Sequence, residues 1–177
     1  MANPFDKWVN QNKHIIKETV KTASFQITIE SAYEGDRNKI VRGKIVIGKD
    51  KQFRLEIGPR TVVSDGEMWQ IYDDRTDQIF IQKPDKKMER ALFSWVKVGK
   101  LKILPIQNKP DGSCKINIFG KENEIRAYFN SNSNELDSIL IMHHHGLKSK
   151  ISNIILTRAE RVNLGIGTEH STRFDLR

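Results

Sequence analysis

Three consecutive histidines are the residues of this chain that most directly suggest metal chemistry. His143, His144 and His145 carry imidazole nitrogens of the kind that bind zinc and other transition metals. Successive residues of a strand point to opposite faces, so three in a row do not converge on one ion unless the backbone bends sharply. We therefore interpret them as solvent-exposed turn residues and predict no metal site.

Carboxylate and glycine pairs elsewhere in the chain give no stronger catalytic signal. Asp73-Asp74 could form an acid pair, but adjacent aspartates between two strand-like runs are typical of a turn. Gly165-Ile166-Gly167 is half of a dinucleotide-binding fingerprint and lacks the third glycine. The sequence contains no nucleophile elbow, phosphate-binding loop or paired-cysteine zinc spacing. We predict no catalytic residues and no cofactor, and therefore that the protein is not an enzyme.

The chain of 177 residues is basic, with 30 Lys and Arg against 22 Asp and Glu and a formal charge of +8. This excess favours negatively charged partners, such as nucleic acid, anionic lipid head groups or an acidic protein, although lysine-rich surfaces also serve solubility. The basic residues are scattered along the chain, and the aromatic residues sit among alternating apolar ones, which suits a core better than a base-stacking platform. We predict no nucleic-acid partner.

Cysteine content and hydropathy limit the remaining classes of protein. The single cysteine, Cys114, excludes an intramolecular disulfide and alternates with Ile116 and Ile118, which predicts a small buried group. No apolar run approaches the roughly 20 residues of a membrane-spanning helix. Residues 1–8 lack the basic flank and apolar core of a signal peptide.

The stretch from Gln52 to Pro84 has the clearest local structure. Residues 53–57 alternate apolar and polar side chains, which predicts a half-buried strand, and Gly58-Pro59 then turns the chain. Asp65-Gly66 between two strand-like runs predicts a two-residue hairpin turn, because glycine supplies positive φ without strain. With a further reversal at 73–75, the stretch predicts four antiparallel strands in a meander.

Helical spacing occurs at two places outside this meander. The first helix is predicted after Asn3-Pro4, and the second is a short amphipathic helix after Pro84. The apolar positions are Phe5, Trp8, Val9, Ile15, Ile16, Thr19, Val20 and Ala23 in the first, and Met88, Ala91, Leu92, Trp95 and Val96 in the second. Together with about eleven predicted short antiparallel strands, these helices form one domain, 1–177. A sheet of that many strands tends to curl. We therefore predict a mainly β (α+β) fold, a curved antiparallel sheet that forms an incomplete barrel around helices.

The meander also carries a family resemblance. The succession Val63-Ser64-Asp65-Gly66, Trp69, Tyr72-Asp73 and Asp77-Gln78-Ile79, after a phenylalanine-bearing strand and a Gly-Pro turn, resembles the periplasmic carrier of outer-membrane lipoproteins, the LolA-like family. The resemblance implies an unclosed half-barrel with an N-terminal helix and a short helical lid over an apolar cavity. It also implies a periplasmic protein, so that this chain would be the mature part of an exported precursor.

Under this resemblance, the function is to bind the acyl chains of lipoproteins and shuttle them from the inner to the outer membrane. The implied partners are acylated lipoproteins, an inner-membrane lipoprotein-releasing transporter and an outer-membrane receptor, and we expect a monomer. A non-carrying regulator that senses a lipid or a protein on the same half-barrel is the alternative, and an enzyme is a weak third.

Candidate site residues follow from the alternation and from the resemblance, and ordinary core packing is the alternative interpretation for each of them. The family carries an arginine that bonds to the lid, and Lys49 stands at the matching place as a candidate for coupling the lid to loading. The predicted cavity walls are Phe25, Ile27, Phe53, Leu55, Ile57 and Ile79, and the predicted lid residues are Trp8, Met88, Leu92 and Trp95.

Overall fold

The computed structural model describes residues 4–30, 39–84, 86, 113–115, 124–130, 132–142, 148–166 and 171–177. Two short helices, α1 (Pro4–Gln11) and α2 (Lys13–Ile16), precede the strands. The strands are β1 (Lys21–Glu30), β2 (Lys39–Ile47), β3 (Phe53–Ile57), β4 (Arg60–Ser64), β5 (Trp69–Asp73), β6 (Gln78–Gln82), β7 (Ser113–Lys115), β8 (Glu124–Phe129), β9 (Leu136–Met142), β10 (Lys148–Arg158) and β11 (Thr172–Asp175).

All eleven of these strands belong to one open sheet, in the order β11-β6-β5-β4-β3-β2-β1-β10-β9-β8-β7. The two end strands, β11 and β7, do not pair with each other, so the described strands form a curved sheet that is not closed into a barrel. The prediction of a mainly β (α+β), unclosed half-barrel with an N-terminal helix is confirmed.

Two meanders, β2 to β6 and β7 to β10, lie on either side of β1 in this sheet. β1 pairs antiparallel with β2 on one side and with β10 on the other, and the strands β2 to β6 follow as sequential hairpins, as predicted. The last strand departs from the predicted antiparallel pattern, because β11 pairs parallel with β6. β10 lies in the interior of the sheet, whereas β11 lies at the edge next to β6. The chain therefore crosses between them, and β11 runs in the same direction as β6.

The first helix is shorter than its apolar spacing predicts. The predicted stripe runs to Ala23, but helical structure ends at Ile16 and β1 begins at Lys21. Residues of β1 from Lys21 onwards pair with strands on both sides, and the Lys21 ammonium group donates to the carbonyl oxygen of Ile16 at 2.6 Å. Two ladders of backbone hydrogen bonds therefore outweigh the local helical preference.

The hairpin between β4 and β5 has a four-residue connection, 65–68, and the predicted two-residue turn is wrong. The Asp65 carboxylate accepts hydrogen bonds from the backbone N–H groups of Glu67 and Met68, both at 2.8 Å, which lengthens the turn. Gly66 takes the positive φ that was expected of it, 107°. Of the predicted second helix, only Lys86 belongs to the described residues. The three histidines at 143–145 lie outside them.

Candidate functional site

One face of the sheet carries a continuous apolar surface, because the registers of β1 to β5 bring apolar residues opposite one another. Leu55 of β3 lies opposite Ile45 of β2, which in turn lies opposite Ala23 of β1. Cross-strand pairs of this kind have neighbouring side chains on the same side of the sheet. We call this surface the apolar face; the residues packed together in its middle are Ala23, Phe25, Ile45, Ile47, Phe53, Leu55, Ile57, Val62, Trp69 and Leu156.

Two aromatic rings form the centre of the apolar face. Phe53 and Trp69 meet edge to face, with ring centroids 5.5 Å apart, and both side chains are fully buried. Such a pair contributes about 0.5–1.5 kcal/mol beyond the burial of its surface. The centre is therefore a packed core that holds the strands in register.

A ring also lies over the one glycine of β2 on this face. The Phe25 side chain occupies the space above Gly43, where an added Cβ would come within 2.3 Å of the ring. Phe25 packs against the buried cluster and remains partly exposed. The glycine thus makes room for an aromatic side chain in the middle of the sheet.

The apolar face continues from this centre toward both edges of the sheet. On one side, Ile27 lies opposite Ile151, and Ile151 lies opposite Ile139 of β9. On the other side, Phe80 of β6 stacks on Phe174 of β11 with ring centroids 5.2 Å apart. Most of these flanking side chains are only half buried. They leave apolar surface on which another apolar molecule could pack.

Five of the six predicted wall residues lie on this face, and the sixth does not. The predicted residues Phe25, Ile27, Phe53, Leu55 and Ile57 share it through their registers. Ile79 is buried on the opposite face, because its β6 neighbour Phe80 is the residue that pairs with Ile71 on the apolar side. Placing Ile79 with the others is wrong. A shift of one residue moves a strand side chain to the other face.

Of the predicted lid residues, only Trp8 belongs to the described part of the chain. It is half buried on α1, and its ring centroid lies 6.2 Å from that of the buried Phe5. The Gln11 side-chain amide at the end of α1 donates to the carbonyl oxygen of Ser133 at 3.2 Å, which ties the helix to the β8–β9 turn. Met88, Leu92 and Trp95 lie outside the described residues.

Lys49 occupies the turn between β2 and β3 and is exposed. Its carbonyl oxygen accepts a hydrogen bond from the Gln52 N–H group at 2.9 Å, and within the described ranges its ammonium group has no ion-pair partner. Its coupling to a lid stays a prediction.

A charged cluster lies at the edge of the apolar face, where β4 begins at Arg60 and β5 ends at Asp73. The buried carboxylate of Asp73 accepts hydrogen bonds from Arg60 Nε at 3.0 Å and Arg75 Nη2 at 2.7 Å. These two guanidinium groups, that of Arg75 first, hold the pKa of the Asp73 carboxyl far below its usual value. A carboxylate so firmly ionised fixes a turn and does not serve as a general acid or base.

Several residues of the apolar face were not among the predicted walls. Trp69 is separated from Ile71 by the polar Gln70 and could have been found by the same period of two. Ile45 and Val62 are each followed by a valine, so that alternation alone does not assign them to a face. In β6, the run Ile79-Phe80-Ile81 is apolar throughout, so that alternation alone does not indicate which side chain points to which face.

Neither a metal centre nor a membrane helix is found in the ranges that the structure describes. There, no three His, Cys, Asp or Glu side chains come together as possible metal ligands. No helix in those ranges has the length and apolar character needed to cross a membrane.

Comparison with solved structures returns matches over most of this chain, all at low sequence identity. An uncharacterized conserved protein from Thermus thermophilus matches with a TM-score of 0.55 and 11% identity, over 97% of this chain and 96% of that chain. A LolA superfamily protein from Nitrosomonas europaea matches with a TM-score of 0.46 and 7% identity, over 91% and 96%. The MucA/MucB complex of Pseudomonas aeruginosa matches with a TM-score of 0.33 and 10% identity, over 88% of this chain and 58% of that chain.

No protein-family model and no curated protein matches the sequence. The likeness to the Thermus protein is one of fold alone, at 11% identity. The LolA-like resemblance in the sequence implies an open half-barrel, and that fold is confirmed.

Proposed function

We propose that this protein is a periplasmic carrier that binds the acyl chains of lipoproteins and moves them from the inner to the outer membrane. The observation that carries this proposal is the apolar face, which extends across an open, curved sheet and leaves half-buried apolar side chains toward its edges. An acyl chain withdrawn from lipid into water costs about 0.8 kcal/mol per methylene. Packing against such a face removes most of that cost.

Release of the cargo requires that the binding surface is not a perfectly closed core. The half-buried side chains Ile57, Val62 and Phe80 surround the fully buried Phe53 and Trp69. A rigid centre with an adaptable border can accept chains of different shape and let them go again. The proposal includes no catalytic step, so the protein acts as a binding protein and not as an enzyme.

The partners in this proposal are acylated lipoproteins, a transporter that releases them from the inner membrane and a receptor on the outer membrane. The basic surface, with 30 Lys and Arg against 22 Asp and Glu, suits contact with anionic head groups or an acidic receptor patch. Each cation near such a surface contributes about 1 kcal/mol. We expect the carrier to act as a monomer.

Native mass spectrometry tests this proposal. The protein is expressed in a Gram-negative bacterium with an export leader and purified from the periplasm. We expect a population whose added mass equals that of an acylated lipoprotein. Bound glycolipid or fatty acid alone would contradict carriage and favour the alternative, a sensing regulator on the same fold.

A matched pair of variants separates binding of the lipoprotein to the apolar face from non-specific adsorption elsewhere on the protein. Ile57→Glu places a carboxylate on the apolar face, whereas Ile40→Glu places one on β2, where the isoleucine is 61% exposed. We expect the first change to abolish the lipoprotein-bound population, because burying a charge beside an acyl chain is costly, and the second to leave it intact. Equal loss in both would contradict the proposal, provided that circular dichroism shows both variants folded.

A further inference from the structure

A polar groove lies on the face of the sheet opposite the apolar face. It has a volume of about 510 Å³ and extends over β3, β2, β1 and the end of β10. Sites for small molecules commonly have volumes of about 300–1,000 Å³. The lining residues are Thr22, Ser24, Lys44, Val46, Arg54, Glu56, Thr157, Arg158, Ala159, Arg161 and Asn163.

Cross-strand neighbours form the floor of this groove. In one row Thr157 lies opposite Thr22, and Thr22 lies opposite Val46. In the next row Ser24 lies opposite Lys44. Side chains in such rows are about 5 Å apart, so three hydroxyl groups and an ammonium group face the same small volume.

The chain that follows β10 forms one wall. We call residues 159–165 the strap. Arg54 Nη1 donates to the carbonyl oxygen of Gly165 at 2.6 Å, and the side chain of Val162 lies against Gly48, where an added Cβ would be 2.7 Å from it. The strap is thus anchored at both β3 and the end of β2, and it holds the guanidinium group of Arg54 in place.

Positive charge dominates the lining, with four cationic side chains against one carboxylate, that of Glu56. Arg54 Nε pairs with Glu56 at 2.6 Å, and Arg158 pairs with Glu18 at 3.2 Å. Among the residues that the structure describes, the side chains of Lys44 and Arg161 have no ion-pair or hydrogen-bond partner. Since Glu56 is already neutralised, two cations remain to attract an anion.

Arg54 has donor capacity left for a ligand. A guanidinium group carries five N–H donors. In the described contacts, Arg54 uses two of its nitrogens, Nε toward Glu56 and Nη1 toward Gly165. Fixed guanidinium donors, ammonium groups and hydroxyl groups are the combination that binds phosphate oxygens in proteins.

We infer that this groove binds a phosphate group, held by Lys44 and Arg161 with Arg54 and the hydroxyl groups of Thr22, Ser24 and Thr157. The phosphate belongs either to a free phosphomonoester or to the head group of an anionic phospholipid. The groove and the apolar face lie on opposite sides of the sheet. This site is therefore separate from the proposed acyl-chain site, and each can fail without the other.

Two probes test the inference on the full chain. The first is glycerol 3-phosphate, whose binding is followed by NMR from the backbone amides of the groove strands. The second is binding to phosphatidylglycerol vesicles, with phosphatidylcholine vesicles as the reference. We expect one of the two probes to bind with an affinity that falls as salt is added.

A pair of double variants gives the decisive comparison. Lys44→Gln/Arg161→Gln removes the two unpaired cations, whereas Lys150→Gln/Arg173→Gln removes the same charges from exposed positions outside the groove. We expect the groove variant to bind about tenfold more weakly or worse, and the control to retain most of its affinity. Loss confined to glycerol 3-phosphate identifies a free ligand, and loss confined to vesicles identifies a head group; both support the inference. Binding of neither probe, or equal loss in both variants, would overturn it.

Discussion

Asp73 illustrates how one side chain fixes the end of a hairpin. It is the last residue of β5 and lies opposite Arg60 of β4. Its carboxylate also accepts from the Arg75 backbone N–H group at 3.1 Å, so donors from two arginine side chains and from the backbone converge on one buried acid. The sequence places Asp73 in a turn. It does not reveal the ion pair with Arg60, because Arg60 lies on a different strand.

The lowered pKa of Asp73 makes its contribution to stability depend on pH. A carboxyl whose pKa is depressed on folding stabilises the protein above the usual aspartate pKa, near 3.8, and this contribution is lost as the pH falls below that value. We expect Asp73→Asn to lower the melting temperature by a few degrees at neutral pH. The difference from the unmodified protein should shrink steadily as the pH is lowered below the usual aspartate pKa. Thermal unfolding followed by circular dichroism measures it.

Glu67→Gln is the control for this experiment, since Glu67 is exposed on the neighbouring turn and its carboxylate has no ion-pair partner among the described residues. The role given to the charge would be refuted if the difference in melting temperature between Asp73→Asn and the unmodified protein stayed constant from neutral to acidic pH.

The contact between Phe25 and Gly43 yields a prediction about packing. Gly43→Ala puts a methyl group where the ring now lies, 2.3 Å away, so the ring must move or the strand must shift. We expect the free energy of unfolding to fall by about 1–3 kcal/mol. Adding Phe25→Leu should recover part of this loss, and chemical denaturation of the two single variants and the double variant measures the coupling. Additive effects would show that the ring and the glycine do not interact.

At the scale of elements, β11 is held by a small group of polar contacts around Asp77, which we call the latch. The Asp77 carboxylate accepts from Ser171 Oγ at 2.6 Å and from the Tyr72 hydroxyl group at 3.2 Å, and the Asp77 carbonyl oxygen accepts from the Thr172 N–H group at 3.1 Å. These contacts hold the parallel edge strand against β6. Asp77 has a positive φ of 50°, which aspartate, asparagine and glycine tolerate better than other residues.

Removing the latch should loosen β11 without unfolding the sheet. Asp77→Gly keeps the backbone conformation and deletes the carboxylate, whereas Asp77→Asn retains an acceptor oxygen as a matched control. We expect faster hydrogen exchange at the amides of Thr172 to Asp175 in the glycine variant only. If β11 is equally protected in all three proteins, the latch does not hold it.

Elements with regular alternation could be predicted from the sequence, and those decided by distant pairing could not. The strand at 53–57 follows its period of two, the strand at 60–64 follows its β-branched run, and the predicted meander is confirmed. The start of β1 at Lys21 was missed because ladders with β2 and β10 override a helical spacing. The parallel direction of β11 was missed because it depends on a crossover that no local pattern records.

The whole molecule combines two different faces on one open sheet. The apolar face carries Phe53 and Trp69 at its centre, and the opposite face carries the basic groove under the strap. Alternation made part of the apolar face predictable, but not the places where neighbouring residues are apolar on both sides of the sheet, such as Val62-Val63 and Ile79-Phe80. The groove was not predictable, since the strap brings Arg161 into the same groove as Lys44 from a distant part of the chain.

The binding of acyl chains to the apolar face is the central claim, and a series of lipopeptides with lengthening acyl chains tests it most directly. The dissociation constant of each lipopeptide is measured by isothermal titration calorimetry, with the deacylated peptide as reference. If each added methylene leaves water for the apolar face, affinity should rise about fourfold per methylene until the available surface is filled. Affinity that does not change with chain length, or that equals the affinity for the deacylated peptide, would contradict the account.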